Sequence, residues 1–200
     1  MADLPPSLAA ALPAETRPRE QAQLFGKLIS LPHEGSWYSD PHDDPDPWQG
    51  DAWAGLDYVD IEALEWRKLR AVVITNSCDV SSENARVVSL GIVLCPLVRA
   101  SRYESLLGSV GASEAYIRDH LAAARRQEIS NIFFFPRGAG LDDDYLVRFD
   151  DVQSQLPNRF RANEAKQRMF SLSQEAFWLF LVKLSTHFCR AGEGIPRLTT

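Results

Sequence analysis

The spacing of apolar residues changes several times along the chain, and each change predicts an element. From Glu15 the spacing is helical. In "ETRPREQAQLFGKLISL", Leu24, Phe25, Leu28 and Leu31 share one stripe, and Thr16 or Glu15 followed by Pro18 suits a helix start. The pattern then fails. "PHEGSWYSDPHDDPDPWQGDAW" carries Pro41, Pro45 and Pro47, a density that excludes helix and inner strand. A long surface loop is expected over 32–55, folded back by Trp37, Tyr38, Trp48 and Trp53. "LDYVDIEAL" (Leu56 to Leu64) begins with strand character. Two β-branched runs follow, "AVVIT" and "VVSLGIVLCPLV", short enough for central strands. "SSEN" between them reads as a turn.

Helical spacing returns from Ser101 to Ser130. Leu106, Leu107 and Val110 precede a Gly-Ala-Ser break, and Ser113 is placed to cap a helix carrying Ile117, Leu121 and Ala124. "NIFFFPRG" predicts a strand, "AGLDDD" a turn, and "DYLVRF" a strand alternating Tyr145, Val147 and Phe149. The last helix is expected from Ser173, with Leu172 and Phe177 as a hydrophobic staple. Its expected stripe is Phe177, Phe180, Leu181, Leu184 and Phe188, with Trp178 and Val182 to one side. Such a helix should close the core, its Trp178 edge bordering a groove or a subunit contact and its His187 lying at the rim.

Short strands interrupted by helices, without strand–helix alternation, predict an α+β fold. The chain divides into a Pro/Ala-rich flexible arm over 1–14 and a single α+β domain over 15–200. No Gly-rich phosphate loop is present: "RGAGL" lacks the lysine and the following helix.

Charge narrows the function. Twenty-seven acidic against 21 basic residues give a net charge of −6, which argues against a general nucleic-acid binder but leaves room for a local basic groove. The wide spacing of Cys78, Cys95 and Cys189 offers no disulfide framework and suits reduced thiols. No apolar window has the length of a spanning helix, and the N-terminus has no basic n-region. A cytoplasmic protein with no membrane contact is expected. His33, His42, Cys78, Cys95, His187 and Cys189 lack the tight ligand pairs of a zinc site, and prolines break any calcium-loop spacing among Asp40, Asp43, Asp44 and Asp46. No metal and no cofactor is expected, and the acidic loop reads as solvated.

Cys78 and Asp79 sit side by side where an apolar strand ends. As a nucleophile and base they conflict, because a neighbouring carboxylate raises a thiol's pKa. The alternative is structural: Cys78 packs as a small buried group and Asp79 caps the turn. Arg159, Arg161, Lys166 and Arg168 form a basic cluster with Phe160 and Phe170, readable as a nucleic-acid surface or as a solvated strand and turn. Trp37, Trp48, Trp53 and Trp178 are candidate partner anchors, or pins that hold the loop to its own domain.

"RAVVIT", "VLCPLV" and "TNSCDV" together resemble the SH3-like β-barrel of the PemK/MazF toxin family. They are most similar to a bacterial and phage subgroup whose first strand ends in a Ser-x-x-Cys-Asp-type motif. "FFFPRG" and "RMFSLSQEAFWLFLVKLSTHF" are similar to that subgroup's C-terminal half. The resemblance implies a small SH3-like barrel with an N-terminal helix, an inserted helical segment and a C-terminal helix. In the toxins, an arginine at the position of Arg70 and a Thr or Ser after the proline-containing strand carry RNA cleavage. Here Val98 and Arg99 follow "CPL", and Ser101 comes late. The departure bears on catalysis more than on fold. The expected function is therefore a non-catalytic module that binds another protein, as a homodimer or with a different chain, within a bacterial or phage conflict system. The alternative is a metal-independent ribonuclease or RNA-binding protein, with Arg70 stabilising phosphate charge and Asp79 or a nearby acid taking the proton.

Overall fold

A computed structural model describes residues 36–40, 42–60, 64–84 and 90–189, without the side chains of Asp60 and Cys189. The expected arm over 1–14 and the helix expected from Glu15 lie outside the described residues. In chain order the elements are β1 (Tyr38–Ser39), β2 (Ala52–Asp60), β3 (Glu65–Val73), α1 (Ser77–Val80), β4 (Ile92–Pro96), β5 (Val98–Arg99), α2 (Ala100–Ser109), α3 (Glu114–Arg125), β6 (Ile132–Phe135), β7 (Tyr145–Arg148), β8 (Gln153–Gln155), α4 (Pro157–Ala162), β9 (Gln167–Leu172) and α5 (Gln174–Cys189).

The fold is mixed α+β. The strands form two antiparallel sheets, ordered β1-β9-β2-β3-β4-β8 and β5-β7-β6, and the sheet curls strongly into a half-barrel. A bulge between Trp53 and Leu56 contributes to the curl. Gly55 lies there at φ +73°, and a Cβ would meet the Ala165 carbonyl oxygen at 2.2 Å, so only glycine fits.

Period-two alternation divides the larger sheet between two cores. Val72 and Cys95 face inward with Phe133, Phe135, Tyr145, Phe149 and Phe180. Ala71, Val73, Ile92 and Leu94 face the other way and are covered by Trp53, Phe160 and Val80. A third cluster lies beyond the smaller sheet: Ile132, Phe134 and Leu146 pack against Ala100 and Ala124. Both faces of β6 and β7 are thus buried, which explains their continuous apolar runs.

Ser113 Oγ accepts from the Tyr116 amide, so the expected cap forms, and Ser173 Oγ likewise caps the last helix by accepting from the Ala176 amide. Several other expectations need correction. The loop expected over 32–55 is interrupted by β1 and ends where β2 begins at Ala52. Leu106 and Val110, which precede the Gly-Ala-Ser break, are exposed. On α5 the buried face is Ala176, Leu179, Phe180, Val182 and Lys183, whereas Phe188 is 56% exposed. The expected stripe is rotated because the helix is apolar almost all round from Phe177 to Val182, so its periodicity carries little phase information.

Lys183 is the unexpected member of that face. Its ammonium donates to Gln127 O at 2.9 Å, Gln127 Oε1 at 3.0 Å and the Ile132 carbonyl, fastening α5 to the α3–β6 connection. Burial pushes its pKa down to about 7. The unfolded chain, with a lysine near 10.5, then binds more protons than the folded one between those values, so stability rises with pH there. Burial pushes the Cys95 thiol up from 9.0 to about 12, an effect of opposite sign that begins only above about pH 9. Between about pH 7 and 9, urea unfolding should show stability rising by up to about 1.4 kcal/mol per pH unit. Lys183→Met should remove that rise, and an unchanged slope would exclude Lys183 as its source.

Candidate cationic groove

The nine-residue strand β3 is paired on both sides only over its last three residues. Ala71, Val72 and Val73 pair with Pro96, Cys95 and Leu94 of β4. Beyond Pro96 the chain leaves this sheet, and Val98 and Arg99 pair with Leu146 and Tyr145 of the other. The last tie to β3 is the Leu97 amide on the Arg70 carbonyl, at 2.8 Å. Upstream of Arg70, β3 is bonded only to β2 among the described residues.

The divergence opens a groove of about 940 Å³. Arg67, Lys68 and Arg70 border it from β3, and Arg99, Ser101 and Arg102 from β5 and α2. Its floor includes Leu69, Pro96, Leu97 and Val98, and Asp151 is the one carboxylate along it.

Tyr145 organises the centre. Its ring is buried in the core, while its hydroxyl accepts from Arg70 Nη1 and, at 3.2 Å, from Arg99 Nε. The same hydroxyl donates to Asp142 Oδ1 at 2.8 Å. That hydrogen bond, helped by the charges of Arg99 and Arg70, holds the Asp142 carboxyl below its ordinary pKa. Arg99 also pairs with Asp142, whereas Arg70 is held by a neutral phenol. Arg70 thus keeps a charge that is oriented but not neutralised. Ser101 Oγ donates to Asp143 at 2.5 Å.

Arg70 alone of the expected catalytic residues belongs to this groove. Asp79 and Cys78 do not line it; they sit on α1, beyond the buried end of β3. Cys78 is exposed rather than packed. The N-cap at this corner is Asn76, whose side chain accepts from the Cys78 amide at 2.9 Å. The buried thiol is Cys95. Among the described residues no three His, Cys, Asp or Glu side chains come together as a metal-ligand set. His33 and the Cys189 side chain lie outside those residues.

The expected nucleic-acid cluster is engaged internally. Arg168 donates to the His42 and Asp44 carbonyls and lies 3.2 Å from Asp51 as an ion pair without hydrogen-bond alignment. Its guanidinium also stacks 4.6 Å from the centre of the Trp53 ring. Arg161 pairs with Asp46 at 3.3 Å and donates to the Val80 carbonyl. Lys166 donates to the Arg161 and Asn163 carbonyls. Arg159 covers Trp66 at 3.7 Å and lies 3.6 Å from Asp57.

The acidic loop is correspondingly not fully solvated, because Asp46 and Asp51 are buried. Burial pushes the Asp46 carboxyl up, but the Ser82 amide and Arg161 outweigh it and leave the pKa below its ordinary value. Two expected partner anchors, Trp37 and Trp53, are core residues, so their burial replaces that role. Trp48 is 44% exposed and stacks on His42 at 3.7 Å. Trp178 is half-buried against the main core.

Sequence reasoning missed Arg67, Lys68, Arg99, Arg102 and Tyr145. The signal available was "WRKLR", as basic as the cluster that was singled out. What joins it to Arg99 and Arg102 is the strand crossing after Pro96, which is not a local pattern.

Fold and groove together define a curled antiparallel α+β domain with a cationic cleft where a strand changes sheets. No protein-family model matches the chain, and no curated protein matches it. No helix among the described residues is long and apolar enough to cross a membrane.

The Arg168 clamp predicts a large asymmetry in stability. Arg168→Ala leaves buried Asp51 without its arginine, with His42 and the Trp48 amide still beside it, and should cost about 3–5 kcal/mol in urea unfolding. Trp48→Ala loses its stacking on His42 and its exposed indole hydrogen bond to Asp44, and should cost less than about 1.5 kcal/mol. Equal effects would show that Arg168 does not anchor the loop.

Proposed function

We propose that this chain is a non-catalytic binding module that docks an acidic segment of another protein in the Arg70 groove. The observation that carries this reading is that, among the described residues, five cations and one carboxylate line an open groove on a chain whose net charge is −6, with Arg67, Lys68 and Arg99 paired to Glu65, Asp57 and Asp142 outside the lining. Arg70 and Arg102 form no ion pair with a described residue. Such a local field attracts an anionic partner irrespective of the overall charge. The reading includes an SH3-like barrel of PemK/MazF type and a place in a bacterial or phage conflict system. Its support is the resemblance of "RAVVIT" and "VLCPLV", with Arg70 at the groove.

One observation favours the second reading, RNA binding or cleavage: Ser101, late in sequence, lines the same groove as Arg70. Asp79 is not in the groove and so does not serve as the proton acceptor there, whereas Asp143 accepts from Ser101 Oγ. General base catalysis needs an acceptor within hydrogen-bond reach of the proton it removes.

Calorimetry with polyglutamate and with oligouridylate separates the readings. Polyglutamate should bind the wild-type chain and weaken as salt rises. The double variant Arg70→Glu, Arg102→Glu should lose at least about tenfold in affinity. Tighter binding of oligouridylate, or its cleavage, would transfer the groove to the RNA reading. Failure of both polyanions to bind would overturn the groove as a working surface.

A further inference from the structure

Among the described residues, the groove contains an unpaired strand edge beside its cations. Val72 directs its main-chain groups toward β4, as the 2.8 Å bond from the Leu97 amide to the Arg70 carbonyl requires of this antiparallel register. Main-chain direction alternates along a strand, so Arg70, Lys68 and Trp66 direct theirs to the same side. There β4 has already departed. Lys68 presents an N–H and a C=O to the groove, and Arg70 an N–H, while Trp66, outside the groove's lining, continues the same edge with its own N–H and C=O. From Glu65 to Arg70 the edge runs roughly 20 Å at the usual strand rise.

Resting on the reading of the groove as an acidic-partner site, we infer that the partner segment binds as an added β-strand along the Glu65–Arg70 edge. The segment is extended, with acidic and apolar residues in alternation. Acidic side chains meet Arg70, Arg99 and Arg102, and apolar ones meet Leu69, Val98 and Leu106, all of which line the groove. Main-chain bonds provide the affinity and side chains the selection, as in other strand additions.

The edge also favours a peptide main chain over a phosphate backbone. Phosphate oxygens can accept from the edge N–H groups but cannot donate to the carbonyls of Trp66 and Lys68. A peptide satisfies both kinds of group. The charged side chains around this edge are those expected to keep it from pairing with unselected neutral strands.

The test uses the full chain, a short labelled peptide of alternating glutamate and valine, and two N-methylated versions. Each version is methylated on one of the two alternate sets of amides, so length and charge stay constant. In fluorescence anisotropy the parent peptide should bind. Just one methylated version, the one blocked on the face toward β3, should weaken by at least about tenfold. The Trp66, Lys68 and Arg70 amides should shift in NMR spectra and gain exchange protection. Equal binding of all three peptides, all lost in Arg70→Glu, would overturn strand addition and leave the groove reading standing. Absence of binding by the parent peptide and by polyglutamate would overturn both. Displacement of the peptide by a tighter oligouridylate would overturn the protein occupant in favour of RNA.

Discussion

The chain changes sheets between Pro96 and Val98, and most of the molecule is arranged around that crossing. Pro96 faces Ala71 at a non-hydrogen-bonded position of the ladder, so the amide it lacks would have pointed away from β3, toward the β8 side of β4. One residue later, Leu97 makes the last bond to β3, and Val98 is already paired with Leu146. The crossing ties the two sheets around one core, since Val72, Cys95, Leu97, Phe133 and Tyr145 all meet there. It also leaves β3 with an edge unpaired among the described residues, beside a cleft. Fold stability and the groove therefore share one cause.

Charge is partitioned by the same architecture. The acidic loop ahead of β2 and the basic segment through α4 and β9 are distant in sequence but packed together, and they neutralise each other through Asp46 with Arg161 and Asp51 with Arg168. The loop carbonyls of His42 and Asp44 are satisfied by the Arg168 fork, which a lysine could not reproduce in one plane. With those arginines committed, the cations with a free field lie on the opposite run, at Arg70 and Arg102. The net charge of the chain thus says little about the groove.

Legibility in the sequence followed the range of the interaction that decides each feature. Local signals carried through: β-branched runs became β3 and β4, "FFF" and "YLV" became β6 and β7, and Ser113 and Ser173 cap their helices. Features decided by distant partners did not. Trp53 could be read as a loop aromatic only because the fit of Phe160 and Arg168 around it is invisible in sequence. Cys78 looked like a buried terminator, yet Asn76, two residues earlier, accepts the Cys78 amide and lets the thiol face solvent. Lys183 gave no signal at all, because a lysine among phenylalanines is ordinary on a solvated face and informative only once that face is buried. At the groove, Arg70 was singled out, but Arg99 and Tyr145, which surround it, lie beyond the crossing.

Tyr145 shows why the centre of the groove is more than a patch of positive surface. Its aromatic ring is fixed by the core, so its hydroxyl is a rigid point at the groove floor. Two guanidinium groups bond to that point, and the proton it carries goes to Asp142. Asp142 neutralises Arg99 through a direct pair, whereas Arg70 receives orientation from the phenol without a formal charge. An exposed arginine ordinarily loses rotamer freedom when it engages a ligand, at a cost of up to about 2 kcal/mol. At Arg70 the Tyr145 hydroxyl has already restricted that freedom. The residue is thereby preorganised for a carboxylate while the charge that attracts it remains exposed.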